Sequence, residues 1–152
     1  MLLRGIDRRR DGTFRVRLPR SEREVLAAIP GQLREAIAAD DPSLFRLFPP
    51  AFADDDEANE EYAGLVGSGL VEGKVLALAE LERTAFAEQL TEDELRCWLG
   101  GLESLRLVLG TQLGVTEETY VGFDEHDPDA PRVALFHWLT WLQEEAIQAL
   151  SS

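Results

Sequence analysis

Cysteine and histidine are scarce in this sequence. The 152 residues contain one cysteine, Cys97, and two histidines, His126 and His137. A single thiol excludes an internal disulfide framework and a multi-cysteine zinc site. Neither histidine has an acid three residues before it, so the Glu-x-x-His pairs of a di-metal helical bundle are missing as well. We therefore expect no metal and no cofactor.

Long apolar runs are also missing. No run approaches the roughly 20 residues that span a bilayer, and the N-terminal residues lack the apolar stretch of a secretory signal. These absences predict a cytoplasmic protein with no membrane partner. The apolar content of 45% is typical of a globular chain. We expect one domain over residues 1–152, with a hairpin in residues 1–20 and a helical bundle with acidic loops in residues 21–150.

Positive charge is concentrated at one end of a chain whose net charge is −14. Residues 1–23 contain eight arginines and three acids, a local charge of +5, so the other 129 residues carry −19. A chain this acidic is repelled by nucleic acid on average, and any phosphate contact would have to use the arginine-rich end. The candidate DNA-binding residues are Arg8, Arg9, Arg10, Arg15 and Arg17.

Two observations temper the DNA hypothesis. The same arginines would also suit a solvated hairpin whose cations pair with the protein's own acids. No predicted helix has the basic face of a protein that reads bases in the major groove.

The first 40 residues predict a hairpin followed by helix. Apolar residues alternate loosely over residues 2–18 around Asp11-Gly12, which is a strong hairpin signal. Ser21 and Glu24 fit a capping box and predict a helix start. Pro30-Gly31 predicts an interruption, and therefore a bent pair of short helices.

A long helix is predicted from about Ala58 to Gln89. The acids at residues 54–57 precede it, and acidic side chains favour a helix N-terminus. Several glycines inside this helix each cost about 1 kcal/mol relative to alanine, which close contact with another helix could offset. We expect that contact at Gly69 and Gly73.

A core helix is predicted after Thr91. Thr91-x-x-Glu94 is a capping box, and apolar residues then recur every three or four positions until Gly114. A neighbouring face of small residues would allow another helix to approach closely; it consists of Cys97, Gly101, Ser104, Val108 and Thr111.

A last helix is predicted to open at Asp129 or Ala130, just before Pro131. Its inward face consists of Leu135, Trp138, Leu139, Leu142 and Ala146. Together the patterns predict a mainly α fold, a bundle of about four to six helices with an N-terminal β-hairpin.

Aromatic residues outside the predicted core indicate a protein-binding surface. His137 and Trp141 lie opposite the apolar stripe of the last helix, where Trp141 either covers a neighbouring element or anchors a partner. A second candidate is the proline- and aromatic-rich elbow at Leu47, Phe48 and Pro49.

Cys97 is the candidate redox residue. It would be a nucleophile only if a base such as His137 or a neighbouring cation lowered its pKa. On a helix, Arg96 and Arg106 point away from it. The simplest interpretation is a thiol packed between helices; oxidation sensing, an intermolecular disulfide and a thiol-dependent enzyme are the alternatives. We expect a protein that is not an enzyme.

Three ordered motifs resemble the actinobacterial oxidative-stress regulator family, long known only as a domain of unknown function. They lie at residues 46–52 (RLFPPAF), 98–114 (beginning WL and ending LRLVLGTQLG) and 138–144 (WLTWLQE). The resemblance implies a cytoplasmic transcription regulator that responds to oxidants, cooperates with an alternative sigma factor and supports cysteine biosynthesis from a sulfur-carrier protein. It also implies a Cys-x-x-x-Cys disulfide switch, which Cys97 cannot form because Asp93 and Gly101 occupy the positions four residues away.

The leading functional prediction is a transcription-associated regulator of the oxidative-stress response. It would contact a protein partner such as an alternative sigma factor, with DNA as a further candidate partner. The alternatives are an acidic adaptor protein linked to proteolysis or sulfur transfer, without a DNA role, and an enzyme that depends on Cys97. The oligomeric state stays open.

Overall fold

The computed structural model describes residues 4–39, 72–113, 128 and 130–152. These residues form four helices and three short strands, which confirms the predicted mainly α fold with an N-terminal hairpin. In chain order, the elements are β1 (Gly5–Arg8), β2 (Phe14–Arg17), α1 (Arg20–Ala38), α2, described from residue 72 to residue 83, β3 (Gln89–Leu90), α3 (Glu92–Gln112) and α4 (Ala130–Ser151).

The three strands form an antiparallel sheet in the order β1-β2-β3. Ile6 pairs with Val16 and Phe14 pairs with Leu90, and all four side chains are buried. The hairpin turns at the predicted place, because Gly12 adopts a positive φ of 85° that an L side chain rarely takes.

Helix α1 is one continuous helix, so the prediction of two short helices is wrong. Pro30 is buried within it, between Leu26 and Leu33 on the face that packs into the core. Burial of this face offsets the lost hydrogen bond and the steric conflict of an internal proline, which cost about 3 kcal/mol. The predicted Ser21 cap is also wrong, since Pro19 occupies the N-cap and supplies no capping side chain.

Helix α2 ends earlier than the prediction of Gln89. The chain turns after residue 83 and then forms β3. The Thr84 hydroxyl fixes this turn, because it donates to the Glu80 carbonyl and accepts from Trp98 Nε1, both at 2.6 Å. The predicted start of this helix, near Ala58, lies outside the described residues.

Close contact between helices occurs at Gly101 of α3. A Cβ placed there would lie 3.1 Å from Leu81 Cδ2 and 3.5 Å from the Ala77 carbonyl oxygen of α2. The small face predicted on α3 is therefore confirmed at this point. The contact predicted at Gly69 and Gly73 is not found at Gly73, where no atom of the described residues lies within 4 Å of such a Cβ; Gly69 is outside them.

The predicted starts of α3 and α4 are both confirmed. The Glu94 N–H donates to Thr91 Oγ1 at 3.1 Å and the Thr91 N–H donates to Glu94 Oε1 at 2.8 Å, a complete capping box. Helix α4 begins at Ala130, ahead of Pro131. No helix in the described part of the chain is long and apolar enough to span a bilayer.

The core lies where α3 packs against α4, with the hairpin and α1 against them. Among the described residues, Trp98 of α3 is the largest fully buried side chain. The predicted inward face of α4 is buried at Leu139, Leu142 and Ala146 and half-buried at Leu135 and Trp138. This arrangement holds β1 against the C-terminal half of α4, which is where the candidate site begins.

Candidate interaction surface at the arginine-rich hairpin

Strand alternation divides the five candidate DNA-binding arginines between two faces of the hairpin and its turn. Arg8 pairs with Phe14 on the face that carries Ile6, and its guanidinium carbon lies 4.9 Å from the Phe14 ring centre. Its Nη2 also donates to the Leu150 carbonyl at 3.0 Å, near the C-terminus of α4. Arg8 is therefore held against the protein and separated from Arg15 by the sheet.

The turn presents Arg9 and Arg10 to solvent. Arg9 makes one long hydrogen bond, from Nη1 to Gln89 Oε1 at 3.4 Å. Within the described part of the chain, Arg10 has no ion-pair partner. The adjacent Asp11 carboxylate accepts from both the hydroxyl and the backbone N–H of Thr13, and the hydroxyl bond is the main cause of its lowered pKa.

Arg15 and Arg17 lie on the outer face of the sheet. Arg17 forms an ion pair with Asp7 on the neighbouring strand. Its Nε is enclosed and has no hydrogen-bond partner among the described residues. Arg15 is exposed, and no described acid forms an ion pair with it. On the outer face, Arg15 therefore has no ion pair among the described residues, and Arg17 has a partner for only part of its guanidinium.

Arg23 is a structural residue that sequence reasoning missed. It is 8% exposed, and its guanidinium donates to four backbone carbonyls at 2.8–3.2 Å, those of Val16, Leu18, Ala85 and Ala87. It joins the hairpin and α1 to the turn after α2, and burial lowers its pKa. The available signal was its position, three residues before Leu26 on the buried stripe of α1.

Trp141 lies half-buried on α4, beneath Arg4. The Arg4 guanidinium carbon is 4.4 Å from the Trp141 ring centre. The same guanidinium pairs with Glu22 of α1, whose carboxylate also accepts a hydrogen bond from Trp138 Nε1. Trp141 therefore covers a neighbouring element, which was one of its two sequence interpretations, while part of the ring stays accessible.

The other candidate partner-binding residues are less constrained. His137 is exposed one helical turn before Trp141, on the same side of α4. The elbow at Leu47, Phe48 and Pro49 lies outside the described residues. The structure thus brings two of the five candidates together on one helix.

Cys97 is half-buried on α3. Burial raises the pKa of its thiol, and three nearby carboxylates raise it further, those of Glu80, Asp93 and Glu94. The neighbouring cations are directed elsewhere: Arg96 pairs with Glu92 at 3.6 Å and Arg106 Nε donates to Gln143 at 2.9 Å. The described side chains contain no group of three or more His, Cys, Asp or Glu residues placed to hold a metal ion.

The sequence is similar to mycobacterial proteins. Those of Mycobacterium tuberculosis and Mycobacterium bovis are named oxidative stress regulator AosR; each is 27% identical over 127 residues, covering 72% of this chain and 58% of the relative. A relative from Mycobacterium leprae is 27% identical over 149 residues. The aligned region covers 87% of this chain and 68% of the relative. The chain thus spans less than two thirds of the length of the first two relatives.

No solved structure matches this chain. The sequence model of the family described as a domain of unknown function, DUF2017, matches residues 3–150. The match includes all three motifs that carry the resemblance to the oxidative-stress regulators, and it extends over almost the whole sequence. The chain belongs to the DUF2017 family.

Proposed function

We propose that this chain is a cytoplasmic regulator in the oxidative-stress response that acts by binding a protein partner and duplex DNA and catalyses no reaction. The observation that carries the proposal is the name of its mycobacterial relatives, oxidative stress regulator. The similarity covers 72% of this chain and 58% of those proteins, so the proposed role is assigned to the region they share.

The exposed arginines of the hairpin support the DNA part of the proposal. Arg9 and Arg10 project from the turn and Arg15 from the outer face, all three exposed. Cations that neutralise phosphates release counterions, and this release drives binding even where no base is read. Because the rest of the chain is strongly acidic, duplex would approach at this end and be repelled elsewhere.

Salt dependence of binding tests the DNA part. We expect the affinity of the full chain for a fluorescent duplex, measured by anisotropy, to fall linearly with salt on logarithmic axes. The double variant Arg9→Gln/Arg10→Gln should reduce that slope by about 2, since each phosphate contact contributes roughly 0.9. The control Arg96→Gln/Arg132→Gln removes the same charge from the exposed sides of α3 and α4 and should leave the slope unchanged. Equal slopes in the two variants would contradict the proposal.

The accessible part of Trp141, with His137 beside it, supports the protein-binding part. Tryptophan is enriched among the side chains that anchor protein interfaces. An alternative sigma factor is the proposed partner, on the strength of the family resemblance.

Direct titration with a purified alternative sigma factor, before and after peroxide treatment, tests this contact. Trp141→Ala and Phe48→Ala should each weaken binding, whereas Thr140→Ala, an exposed neighbour on α4, should leave it intact. Full affinity in both aromatic variants would count against the assigned surface.

An adaptor protein without a DNA role is the second candidate. It is favoured by the internal pairing of Arg4 with Glu22 and of Arg17 with Asp7, which uses part of the basic charge inside the protein. Duplex that is not retained at low salt would support the adaptor. Such an adaptor would bind proteins that take part in proteolysis or sulfur transfer.

An enzyme built on Cys97 is disfavoured by the raised pKa of the thiol, because the thiolate is the reactive form. We expect iodoacetamide to alkylate Cys97 more slowly in the folded chain than in the urea-unfolded chain at pH 7.5. A faster reaction in the folded chain would support the alternative of an enzyme that depends on Cys97.

A further inference from the structure

A cleft of about 370 Å³ lies beside the end of β2 and the start of α1. Its volume is at the lower end of the roughly 300–1,000 Å³ range of small-molecule sites. Four arginines and one acid supply its charged lining, and three apolar residues supply the rest; they are Arg4, Arg15, Arg17, Arg23, Glu88, Val16, Leu18 and Pro19.

The charge of this lining is opposite to that of the chain. Four guanidinium groups face one carboxylate, a local balance of +3 in a protein whose net charge is −14. Asp7 and Glu22 pair with Arg17 and Arg4 from the edges and reduce this excess. Arg15 has no ion pair with any described residue, so an anion in the cleft would find an available cation.

Two features hold the positive charge in place. Arg23 is fixed by its four carbonyl bonds, so its charge stays in the lining of the cleft without a change of rotamer. Pro19 lines the cleft and is the N-cap of α1 without a capping side chain. The free N–H groups of a first helical turn, together with the helix dipole, favour a negative group near this end.

We propose that this cleft binds a small molecule bearing a phosphate or diphosphate group, with Arg15 and Arg17 as its ion-pairing residues. A lining with several arginines suits an anion of charge −2 or more better than a single carboxylate, and arginine forms bidentate hydrogen bonds with phosphate oxygens. Pro19, the exposed apolar residue of the lining, would contact the apolar part of the molecule. This site shares Arg15 with the proposed DNA contact, whereas Arg9 and Arg10 of the turn are not part of the cleft lining.

Isothermal titration calorimetry tests the proposal: the full chain is titrated with pyrophosphate at low salt. We expect saturable binding with one site per chain. Arg15→Gln should weaken it about tenfold, the loss expected of one charge-assisted hydrogen bond. Arg96→Gln, with the same change of charge on α3, should leave the affinity unchanged. No saturation at millimolar pyrophosphate, or an equal loss in both variants, would overturn the site.

Four further measurements sharpen the assignment. Arg17→Gln should also weaken binding. Because Arg17 pairs with Asp7, the melting temperature of this variant is compared with that of the wild type. Arg15→Gln remains the primary variant. Glu88→Gln should strengthen binding, whereas Glu103→Gln, an exposed acid on α3, should not. If citrate bound as tightly as pyrophosphate, the assignment of a phosphate-bearing ligand would be overturned.

The variant Arg9→Gln/Arg10→Gln tests whether the cleft and the DNA contact are distinct. If it keeps its affinity for pyrophosphate while its affinity for duplex falls, two distinct sites are supported. A parallel loss of both affinities would contradict them.

Discussion

The guanidinium carbon of Arg4 lies 4.4 Å from the ring centre of Trp141, so a residue next to β1 caps an aromatic residue of α4. The same Arg4 pairs with Glu22 of α1, and Glu22 accepts the indole N–H of Trp138. The N-terminal segment, α1 and α4 therefore meet through one carboxylate and one guanidinium. Any partner that uses Trp141 would also contact, or displace, Arg4.

A double-mutant cycle measures the contact between Arg4 and Trp141. We expect Arg4→Gln and Trp141→Leu to be coupled by about 0.5–1 kcal/mol in the free energy of unfolding, the usual range for a cation over an aromatic ring at an accessible site. Urea unfolding of the two single variants and the double variant gives this energy. In the control cycle, Arg96→Gln with Trp141→Leu, the two effects should add within about 0.3 kcal/mol. Equal coupling in both cycles would show that the contact contributes nothing.

Among the described arginines, we expect substitution of Arg23 to lower the free energy of unfolding the most. Arg23→Gln should lower the free energy of unfolding by roughly 3 kcal/mol or more, because it leaves several buried carbonyls without a donor. Chemical unfolding measures the loss. Arg23→Lys keeps the charge but cannot reach four carbonyls, so it should recover only part of the stability.

The matched control for Arg23 is Arg20 in the same helix. Arg20 is exposed and forms one i,i+4 pair with Glu24 at 3.3 Å. Arg20→Gln should therefore change the free energy of unfolding by no more than about 0.5 kcal/mol. A similar loss in the two variants would mean that the carbonyl bonds of Arg23 do not determine stability.

The sequence was sufficient where local chemistry decides the structure. The Asp11-Gly12 turn, the Thr91 capping box and Ala130 ahead of Pro131 each act within a few residues, and each is found where the pattern indicates. Pro30 and the end of α2 were mispredicted, because tertiary contacts override local preference there. Burial beside Leu26 and Leu33 keeps α1 continuous, and the bond between Trp98 and Thr84 fixes the turn after α2.

The candidate site was predictable in composition but not in arrangement. The arginine-rich end is evident from the charge distribution, whereas the separation of Arg8 from Arg15 depends on strand register. The burial of Arg23 depends on carbonyls at Ala85 and Ala87, more than 60 residues away. A pattern along one segment contains no information on such long-range partners.

Stability is expected to fall in acid through the contacts of Arg83. Its guanidinium donates to Glu80 and Glu94, at 2.8 and 2.7 Å from Nη2. The Arg83 bond is the main cause of the lowered pKa of Glu80, and the Thr91 N–H is the main cause for Glu94, with Arg83 adding to it. Both values lie below 4.5 in the folded protein, so the unfolded chain takes up protons first as the pH falls. This stabilisation is present above about pH 4.5 and is lost as the pH falls through the folded values.

Urea unfolding between pH 7 and pH 3 measures this dependence. Arg83→Gln should flatten the acid side of the stability curve, mainly through Glu80. Arg96→Gln removes an exposed arginine whose pair with Glu92 is longer, at 3.6 Å, and should leave the curve nearly unchanged. Identical acid sensitivity in the wild type and in Arg83→Gln would exclude this ion-pair cluster as a source of the pH dependence.

The contact between α2 and α3 predicts opposite effects at two helical glycines. Gly101→Val should lower the free energy of unfolding by about 1–3 kcal/mol, because its side chain would push against Leu81 and the Ala77 backbone in a close-packed core. Gly73→Ala should instead raise it by about 0.5–1 kcal/mol, since alanine is the better helix former and no described atom lies near the added methyl group. Thermal and urea unfolding of both variants provide the comparison. If Gly101→Val matched the wild type, α2 would not pack on α3 as closely as the 3.1 Å approach requires; if Gly73→Ala were destabilising, the neighbourhood of Gly73 would be more crowded than the described residues make it.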